Sequence, residues 1–405
     1  MKKALVIVLF VVLCLSVSLV ADVVFPFEPE VIDAQGAALG RTTVLTTSGS
    51  NALFTNPAGL GMLNDKILQG GMRFFFGNMK IDFKDSGDDD IEYSSPFHMK
   101  FNHASFAMPY QIQGLSMKTV FAAGYRTYYD NGYNYYYKEK DDDDKYTYKH
   151  HGGLNTLTFG GGINFGDKIY AGLSFNIGIM GKITASEEID NGNGNPEKNE
   201  GEGTVKGSFL TLGAIYKASP KITLGFYYRP GFEAKYERDE DDIDGLWGGY
   251  VQGIYTGIWD AEITIPSLFA LSAAYQMSDT YKFIFEYQTR GVGEYENDNY
   301  EIFGDKPDNG SVIRLGAEML KSMPVRIGFF MDSVPLFDVK SDGNYSSTPN
   351  SIMGFTAGTS FQATSDLSVE LFGEYAFTGY EDKDDEYSVS MGGFKFGTTL
   401  SYKLK

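Results

Sequence analysis

The stretch Ser311–Met331, SVIRLGAEMLKSMPVRIGFFM, decides the fold, because it holds two alternating segments joined by a very short connector. Apolar residues occupy every second position of both segments, namely Ile313, Leu315, Ala317, Met319, Val325, Ile327, Phe329 and Met331. The positions between them include Arg314, Glu318, Arg326 and Gly328. A period of two is the signature of a β-strand with one apolar and one polar face. We therefore predict an antiparallel strand pair here.

The same alternation repeats along the chain from about Lys66 onwards. Fourteen strands are predicted near Ile67–Phe83, Phe97–Gln111, Met117–Thr127, Gly152–Phe165, Ile169–Ile183, Lys206–Ala218, Ile222–Ala234, Ile263–Met277, Tyr281–Arg290, Ser311–Leu320, Val325–Met331, Ile352–Phe361, Leu367–Phe377 and Gly392–Leu404. Their connectors are alternately long and very short, and this asymmetry with an even strand count is typical of single-chain outer-membrane barrels. The predicted fold class is all-β, a transmembrane antiparallel β-barrel whose polar face lines the lumen. A soluble β-sandwich has the same alternation but does not explain the loop asymmetry.

The long connectors are acidic or rich in Gly and Asn. The clearest are Asp85–Asp90, Glu139–Lys145, Asp190–Gly203 and Glu381–Glu386. We expect solvated loops here, although loose binding of divalent cations beside lipopolysaccharide is open. His150 and His151 lie beside such a loop, where surface metal binding is open but a solvated loop is favoured, and no metal site or cofactor is predicted. No nucleophile, base and orienting acid can be assembled, so the chain is not read as an enzyme.

Composition agrees with a barrel and excludes other classes. The chain has 31 Phe, 28 Tyr and 48 Gly among 405 residues, which suits aromatic girdles and tight strand packing. Its mean hydropathy is -0.23 and only the amino terminus has a long apolar run, so helical spans are not predicted beyond it. A net charge of -19 argues against nucleic-acid binding.

The first residues have the pattern of a secretion signal. Lys2 and Lys3 precede an apolar run from Ala4 to Val20, and cleavage is predicted after Ala21. The alternative is a permanent membrane anchor, for which the run is short. Cleavage also removes Cys14, the single cysteine of the chain. The predicted organisation is a signal peptide over 1–21, a separate segment over 22–65 and a barrel over 66–405.

The segment Asp22–Asp65 does not have a strand pattern. It contains QGAALGRTTVLTTSGSNALFTNPAGLGML (Gln35–Leu63), which is rich in Gly, Ala, Ser and Thr. A fourteen-stranded barrel is too wide for side chains alone to fill, so its lumen is either open water or plugged. A small-residue segment before the first strand is about the right size for a plug.

At the motif NPAGL (Asn56–Leu60) the chain resembles the N-terminal hatch of the FadL/TodX family of hydrophobic-compound transporters. Similar likenesses follow at Leu210–Pro230, Ile263–Tyr287 and Pro324–Leu336. The resemblance implies a hatch inside the lumen and places its motif at Gly36, Gly40, Asn56, Pro57, Ala58 and Gly59. It also implies a monomer that releases its ligand sideways into outer-membrane lipid, with the third strand as the expected opening. The last strand resembles the signal read by the barrel assembly machinery during biogenesis.

Three features have competing interpretations. The apolar loop around Leu246, Trp247, Tyr250, Ile254 and Trp259 is either a docking surface for the ligand or a set of interfacial aromatic residues. The polar strand faces carry Glu286, Arg314, Glu318, Arg326, Glu370 and Glu374, which either clamp the hatch or a ligand head group or, as we favour, brace the wall. Asn56 and Pro57 either latch the hatch or form an ordinary turn.

The leading functional hypothesis is a channel for hydrophobic small molecules, such as long-chain fatty acids or aromatic hydrocarbons. The alternative is a PorV-like shuttle or scaffold protein of protein secretion, which carries a similar hatch motif. An aqueous porin is a third possibility, against which the plug-like segment argues.

Overall fold

A computed structural model describes most of the chain after the amino terminus. The described residues are 31–46, 49–83, 91–111, 117–130, 133–138, 145–179, 181–190, 197–238, 250–251, 254–255, 261–291, 296–297, 309–339, 345–382 and 387–405. The predicted signal peptide lies outside them.

In the described residues before the first strand there are three short helical elements. They are the α-helix α1 (Ala34–Ala38) and two 3-10 helices at Gly49–Phe54 and Pro57–Met62. The Asp33 carboxylate accepts a hydrogen bond of 2.6 Å from the Gly36 amide and so caps α1. Asn56 caps the second 3-10 helix in the same way, through the Ala58 amide. No helix in the described part of the chain is both long and apolar enough to cross a membrane.

Twenty-one strands follow within the described ranges. They are β1 (Lys66–Phe83), β2 (Ile91–Gln111), β3 (Lys118–Asp130), β4 (Tyr133–Lys138), β5 (Lys145–Phe165), β6 (Ile169–Ile179), β7 (Gly181–Asp190), β8 (Glu197–Lys217), β9 (Ile222–Arg229), β10 (Phe232–Arg238), β11 (Tyr250–Val251), β12 (Ile254–Tyr255), β13 (Ala261–Ile265), β14 (Leu268–Gln276), β15 (Tyr281–Arg290), β16 (Glu296–Asn297), β17 (Gly310–Met319), β18 (Val325–Val339), β19 (Tyr345–Gln362), β20 (Leu367–Asp382) and β21 (Tyr387–Leu404).

The sheet closes on itself as a barrel. β1 pairs with β2 on one side and with β21 on the other, in register from Lys66↔Leu404 to Phe83↔Tyr387. Fourteen strands complete the ring, namely β1, β2, β3, β5, β6, β8, β9, β14, β15, β17, β18, β19, β20 and β21. All of their pairings are antiparallel, so the predicted fourteen-stranded barrel is confirmed.

The strands differ from the predicted ones mainly where they meet the long connectors. β8 begins at Glu197, so the prediction of a loop through Asp190–Gly203 is wrong in its second part. His150 and His151 lie in β5 and not in a loop, paired with Tyr133 and Thr184. The hairpins continue to pair beyond the barrel ring. Acidic side chains do not prevent this pairing, because charges on strand ends that lie in water remain solvated.

Two predicted strands are each divided in the structure. The seventh stops at Arg229 and resumes at Phe232, and the eighth stops at Ile265 and resumes at Leu268. Pro230 and Pro266 stand in these gaps, and a proline has no amide hydrogen to give to the ladder. The alternation of apolar and polar residues does not by itself reveal such a break.

The outer surface of the barrel is apolar and the inner side chains are largely polar. Leu315 is 46% exposed, Ile327 59% and Phe355 58%, whereas Arg326 in the same hairpin is 4% exposed. Soluble proteins rarely expose such a continuous apolar surface, but lipid covers it without cost. The face assignment made from the period-two pattern therefore agrees with the structure.

Leu271, which is exposed near the middle of β14, tests the lipid-facing assignment. We expect Leu271→Arg to destabilise the folded barrel by about 2–4 kcal/mol, because it places a charge in hydrocarbon. The measurement is urea unfolding in lipid vesicles. Asp279→Arg, in the short turn after β14, is the matched control and should change little. Equal effects of the two substitutions would contradict the assignment.

Candidate functional site

Residues 31–46 and 49–65 lie against the inward-facing side of the barrel wall. Ala34 bonds to Thr399 in β21, Thr43 to Glu286 in β15, Asn51 to Gln69 in β1, and Asn56 contacts β8. These strands are distributed around the whole ring. We call Val31–Thr46 the first half of this segment and Gly49–Asp65 its second half.

Carboxylates of the wall hold the first half. Arg41 donates to Glu374 from Nε at 2.9 Å and from Nη2 at 2.5 Å, which makes a bidentate ion pair. The Glu286 carboxylate accepts from the backbone amides of Thr43 and Val44, at 3.0 and 2.8 Å. Glu370 accepts from the backbone of Gln35, in the first turn of α1. Hydrogen bonds to charged groups contribute about 1.5–3 kcal/mol each, so this half is firmly attached.

Five of the six predicted lumen charges are buried and Glu370 is half-buried, and the set has two kinds of contact. Arg314 donates to Glu286 at 2.9 Å and Arg326 donates to Glu318 at 2.7 Å, and both pairs join neighbouring wall strands. Glu286, Glu370 and Glu374 also contact the segment. Wall bracing and clamping of the segment are therefore combined in one set of residues.

Two glycines of the first half lie so close to neighbouring backbone atoms that any larger residue would clash there. Gly40 has a φ of 75°, and an added Cβ would lie 2.5 Å from the carbonyl oxygens of Leu315 and Phe329. Its amide donates to Thr356 Oγ1 at 2.9 Å. A Cβ on Gly36 would lie 2.4 Å from the Thr42 carbonyl oxygen. At these two positions of the predicted hatch motif, the packing therefore leaves no room for a side chain.

The second half is held mainly by apolar packing. Leu53, Phe54 and Leu60 are fully buried and form one cluster with wall residues, which are Ala107, Val120 and Ala122. The Arg126 guanidinium donates to the Phe54 carbonyl oxygen at 2.9 Å and lies 5.5 Å from the centre of the Phe54 ring. Asn51 and Ser50 bond to neutral side chains of β1 and β2.

A row of three wall glycines lies beneath the NPAGL motif. Gly162, Gly172 and Gly213 are paired with one another across β5, β6 and β8. An added Cβ on Gly172 would lie 2.1 Å from the Pro57 carbonyl carbon, and one on Gly213 would lie 1.9 Å from Asn56 Oδ1. We call these three residues the glycine seat. The second 3-10 helix rests on bare backbone there, with Ala58 fully buried.

Asn56 acts on both sides of its turn. Its Oδ1 accepts from the Ala58 amide at 3.2 Å, and its Nδ2 donates to the Val44 carbonyl oxygen at 3.0 Å. The side chain thus joins the two halves of the segment, and Pro57 begins the helix that follows. Gly59 donates its amide to the Asn56 carbonyl oxygen at 2.9 Å.

The wall has a parting between β2 and β3. The two strands pair from Gln111↔Lys118 up to His103↔Arg126, and among the described residues no pair joins Met99–Asn102 to Thr127–Asp130. Pairing of β2 resumes with β4 at Ser94↔Tyr136. Phe54 lies directly inside the last pair, with its ring edge-on to His103 at 6.3 Å.

The predicted docking loop is largely outside the described residues. Leu246, Trp247 and Trp259 fall there. Tyr250 and Ile254 belong to the two-residue strands β11 and β12, which pair with each other. The docking role of this loop stays a prediction.

Sequence reasoning missed the glycine seat and a buried cationic cluster. Arg126 and Tyr128 are fully buried on β3, and Arg229 of β9 donates to the Tyr128 hydroxyl. The alternating pattern marked only the third strand itself. The three glycines can be read from the sequence, but only the register between the strands shows that they lie side by side on the inner face.

The Arg41–Glu374 pair gives a test of the first half. Replacing Glu374 by Leu should weaken protection of the amides at 34–44 by about 3 kcal/mol, roughly 100-fold in exchange rate, because it removes one partner of a buried ion pair. The readout is native-state hydrogen exchange. The double variant Arg41→Met/Glu374→Leu removes both charges and should lose clearly less. A loss equal to that of the single variant would contradict this account.

The glycine seat gives a second test. Gly172→Ala should displace the second 3-10 helix, because the new methyl group overlaps the Pro57 backbone. We expect steady ion conductance in planar bilayers to rise several-fold, while the barrel still folds. Gly373→Ala is the matched control, since nothing lies within 4 Å of its added Cβ. Unchanged conductance in Gly172→Ala would mean that the seat does not position the segment.

Solved structures with the same architecture identify the fold. Neither a protein-family model nor a curated protein sequence matches the chain significantly. The toluene transporter TodX of Pseudomonas putida aligns with a TM-score of 0.60 and 12% identity, over 92% of this chain and 98% of that one. A FadL homologue of Pseudomonas aeruginosa aligns with a TM-score of 0.57 and 13% identity, over 94% and 100%. The toluene transporter TbuX of Ralstonia pickettii gives 0.53 and 13%, over 94% and 100%.

Two of these neighbours are described as toluene transporters and the third as a FadL homologue. The resemblance first seen at NPAGL is thereby confirmed for the architecture of nearly the whole described chain. The protein has the fold of the FadL/TodX-type outer-membrane barrels.

Proposed function

We propose that this protein is an outer-membrane channel for hydrophobic small molecules, such as long-chain fatty acids or aromatic hydrocarbons. Movement of the N-terminal segment, acting as a hatch, opens the path, and the molecule leaves sideways into outer-membrane lipid. The observation that carries this proposal is the parting between β2 and β3 with Phe54 directly inside it.

A parting in a barrel wall needs a reason. Membrane barrels normally pair every strand with both of its neighbours, so a stretch where β2 and β3 do not pair with each other is a local exception. Met99 and Phe101, beside the parting, are exposed apolar side chains, and Phe101 lies 6.2 Å from the Tyr125 ring on the neighbouring strand. The parting therefore faces the apolar outer belt, where an apolar molecule is received without entering water.

Sideways release is favoured by the chemistry of the ligand. Each CH₂ group kept out of water saves about 0.8 kcal/mol, so a long acyl chain gains many kcal/mol by passing directly into lipid. On the inner side, Phe54 and its cluster present an apolar surface that such a molecule can contact. The likeness to the toluene transporters supports the same ligand class.

The remaining roles complete the proposal. The loop around Trp247 and Trp259 receives the ligand outside, and outer-membrane lipid accepts it. Gly36, Gly40, Asn56, Pro57, Ala58 and Gly59 set the closed position of the hatch. The protein acts as a monomer inserted by the barrel assembly machinery.

Uptake of labelled oleate tests the function. A bacterial host without its own hydrophobic channel should take up oleate at least tenfold faster when it makes this protein, because the apolar path bypasses lipopolysaccharide. Toluene is the second ligand, since the two represent the two ligand classes.

The control deletes residues 31–62 and verifies barrel folding by heat-modifiable migration in gels. We expect the deletion to add steady ion conductance, because the plug is gone. Absence of uptake of both ligands would overturn the proposal. Loss of secreted proteins in the same strain would then favour the PorV-like alternative.

A further inference from the structure

We infer that the hatch is divided: its second half, Gly49–Asp65, moves to open the path, and its first half, Val31–Thr46, remains attached to the wall. This inference rests on the proposed function and deepens it. The two halves differ in the chemistry of their attachment and in the part of the wall that they cover.

The first half is attached through charge. Three wall carboxylates, Glu286, Glu370 and Glu374, bond to it, and Arg41 completes a bidentate pair. Thr356 adds two bonds, accepting from the Gly40 amide and donating to the Ala38 carbonyl oxygen, each at 2.9 Å. A hydrocarbon chain or ring has no group that can replace these bonds.

The second half is attached through apolar contacts and bare backbone. Leu53, Phe54 and Leu60 pack on small wall residues, and Pro57 rests on the glycine seat. Its buried charged contact among the described residues is Arg126 to the Phe54 carbonyl oxygen. Two exposed contacts lie at its end, where Lys118 donates to Asn64 and Lys403 pairs with Asp65. An apolar ligand offers the wall the same kind of contact as Leu53 and Phe54, so it competes with this half directly.

The two halves also cover different sectors of the barrel. The first half begins at β2, where Asn102 donates to the Val31 and Ile32 carbonyl oxygens at 3.5 and 3.2 Å. Its other hydrogen bonds and close backbone approaches are to strands from β9 to β21, through Gly225, Glu286, Gly316, Gly328, Thr356, Glu374 and Thr399. The second half contacts strands from β1 to β8, through Gln69, Ser105, Arg126, Gly160, Gly172 and Gly213. The parting between β2 and β3 lies in the second sector. Movement of the second half therefore uncovers the wall at His103 and Arg126, where the parting begins, while Val31 and Ile32 remain bonded to Asn102.

Disulfide pins test each half separately, and the mature chain helps because its single cysteine lies in the predicted signal peptide. Ser50→Cys/Ser105→Cys pins the second half, since the two hydroxyl oxygens are 2.8 Å apart. Leu39→Cys/Gly316→Cys pins the first half, where the two Cβ positions are 2.9 Å apart and need a shift of roughly 1 Å. Both variants are compared oxidised and reduced.

Oxidation of the Ser50→Cys/Ser105→Cys variant should lower oleate uptake at least tenfold, and reductant should restore it. Oxidation of the Leu39→Cys/Gly316→Cys variant should leave uptake within twofold. The inference is overturned if the first pin has no effect, or if the second also blocks uptake reversibly.

Hydrogen exchange on the wild-type protein gives a readout that does not depend on uptake. Hydrogen-bonded amides of the second half, Asn51, Ala58, Gly59 and Leu63, should exchange at least tenfold faster than those of the first half, Ala37, Gly40 and Val44. Equal or reversed rates would refute the division of the hatch. Failure of oleate and toluene uptake with the expected exchange rates would instead refute the channel and leave the division intact.

Discussion

The pairing of β1 with β21 is the constraint on which the rest of the structure depends. In hydrocarbon every backbone donor and acceptor needs a partner within the protein, so a membrane sheet must close. Eighteen consecutive residue pairs, from Lys66↔Leu404 to Phe83↔Tyr387, close this one. Closure fixes the register, and the register decides which side chains face lipid and which face the interior.

A ring of fourteen strands creates an interior that wall side chains alone do not fill. The segment before β1 meets that need with small residues, which allow close approach of its backbone to the wall. Its polar backbone groups are satisfied by side chains such as Glu286 and Thr356. Buried carboxylates, costly in isolation, are acceptable here because each has a cationic or amide partner. The same contacts give the segment one defined position.

The sequence predicted the strand number, the two faces and the non-strand segment, because each depends on local alternation or its absence. It also identified the buried charges, since Glu318 and Arg326 occupy the polar positions of clear strands. The partner of Glu374 was beyond reach, because Arg41 and Glu374 are 333 positions apart. The glycine seat and the parting depend on register between strands, which no single strand encodes. The breaks at Pro230 and Pro266 were readable, but alternation continues across them.

Gln69 links the β1–β21 seam to the segment inside the barrel. Its Oε1 accepts from the Asn51 amide in the segment, and its Nε2 donates to Ser401 of β21 at 2.6 Å. One side chain therefore joins the segment to both strands of the seam. By thermodynamic linkage, whatever strengthens docking of the segment also strengthens the seam, and the reverse holds equally. Docking of the segment therefore stabilises the β1–β21 seam, and a barrel without the segment would open most readily where its first and last strands meet.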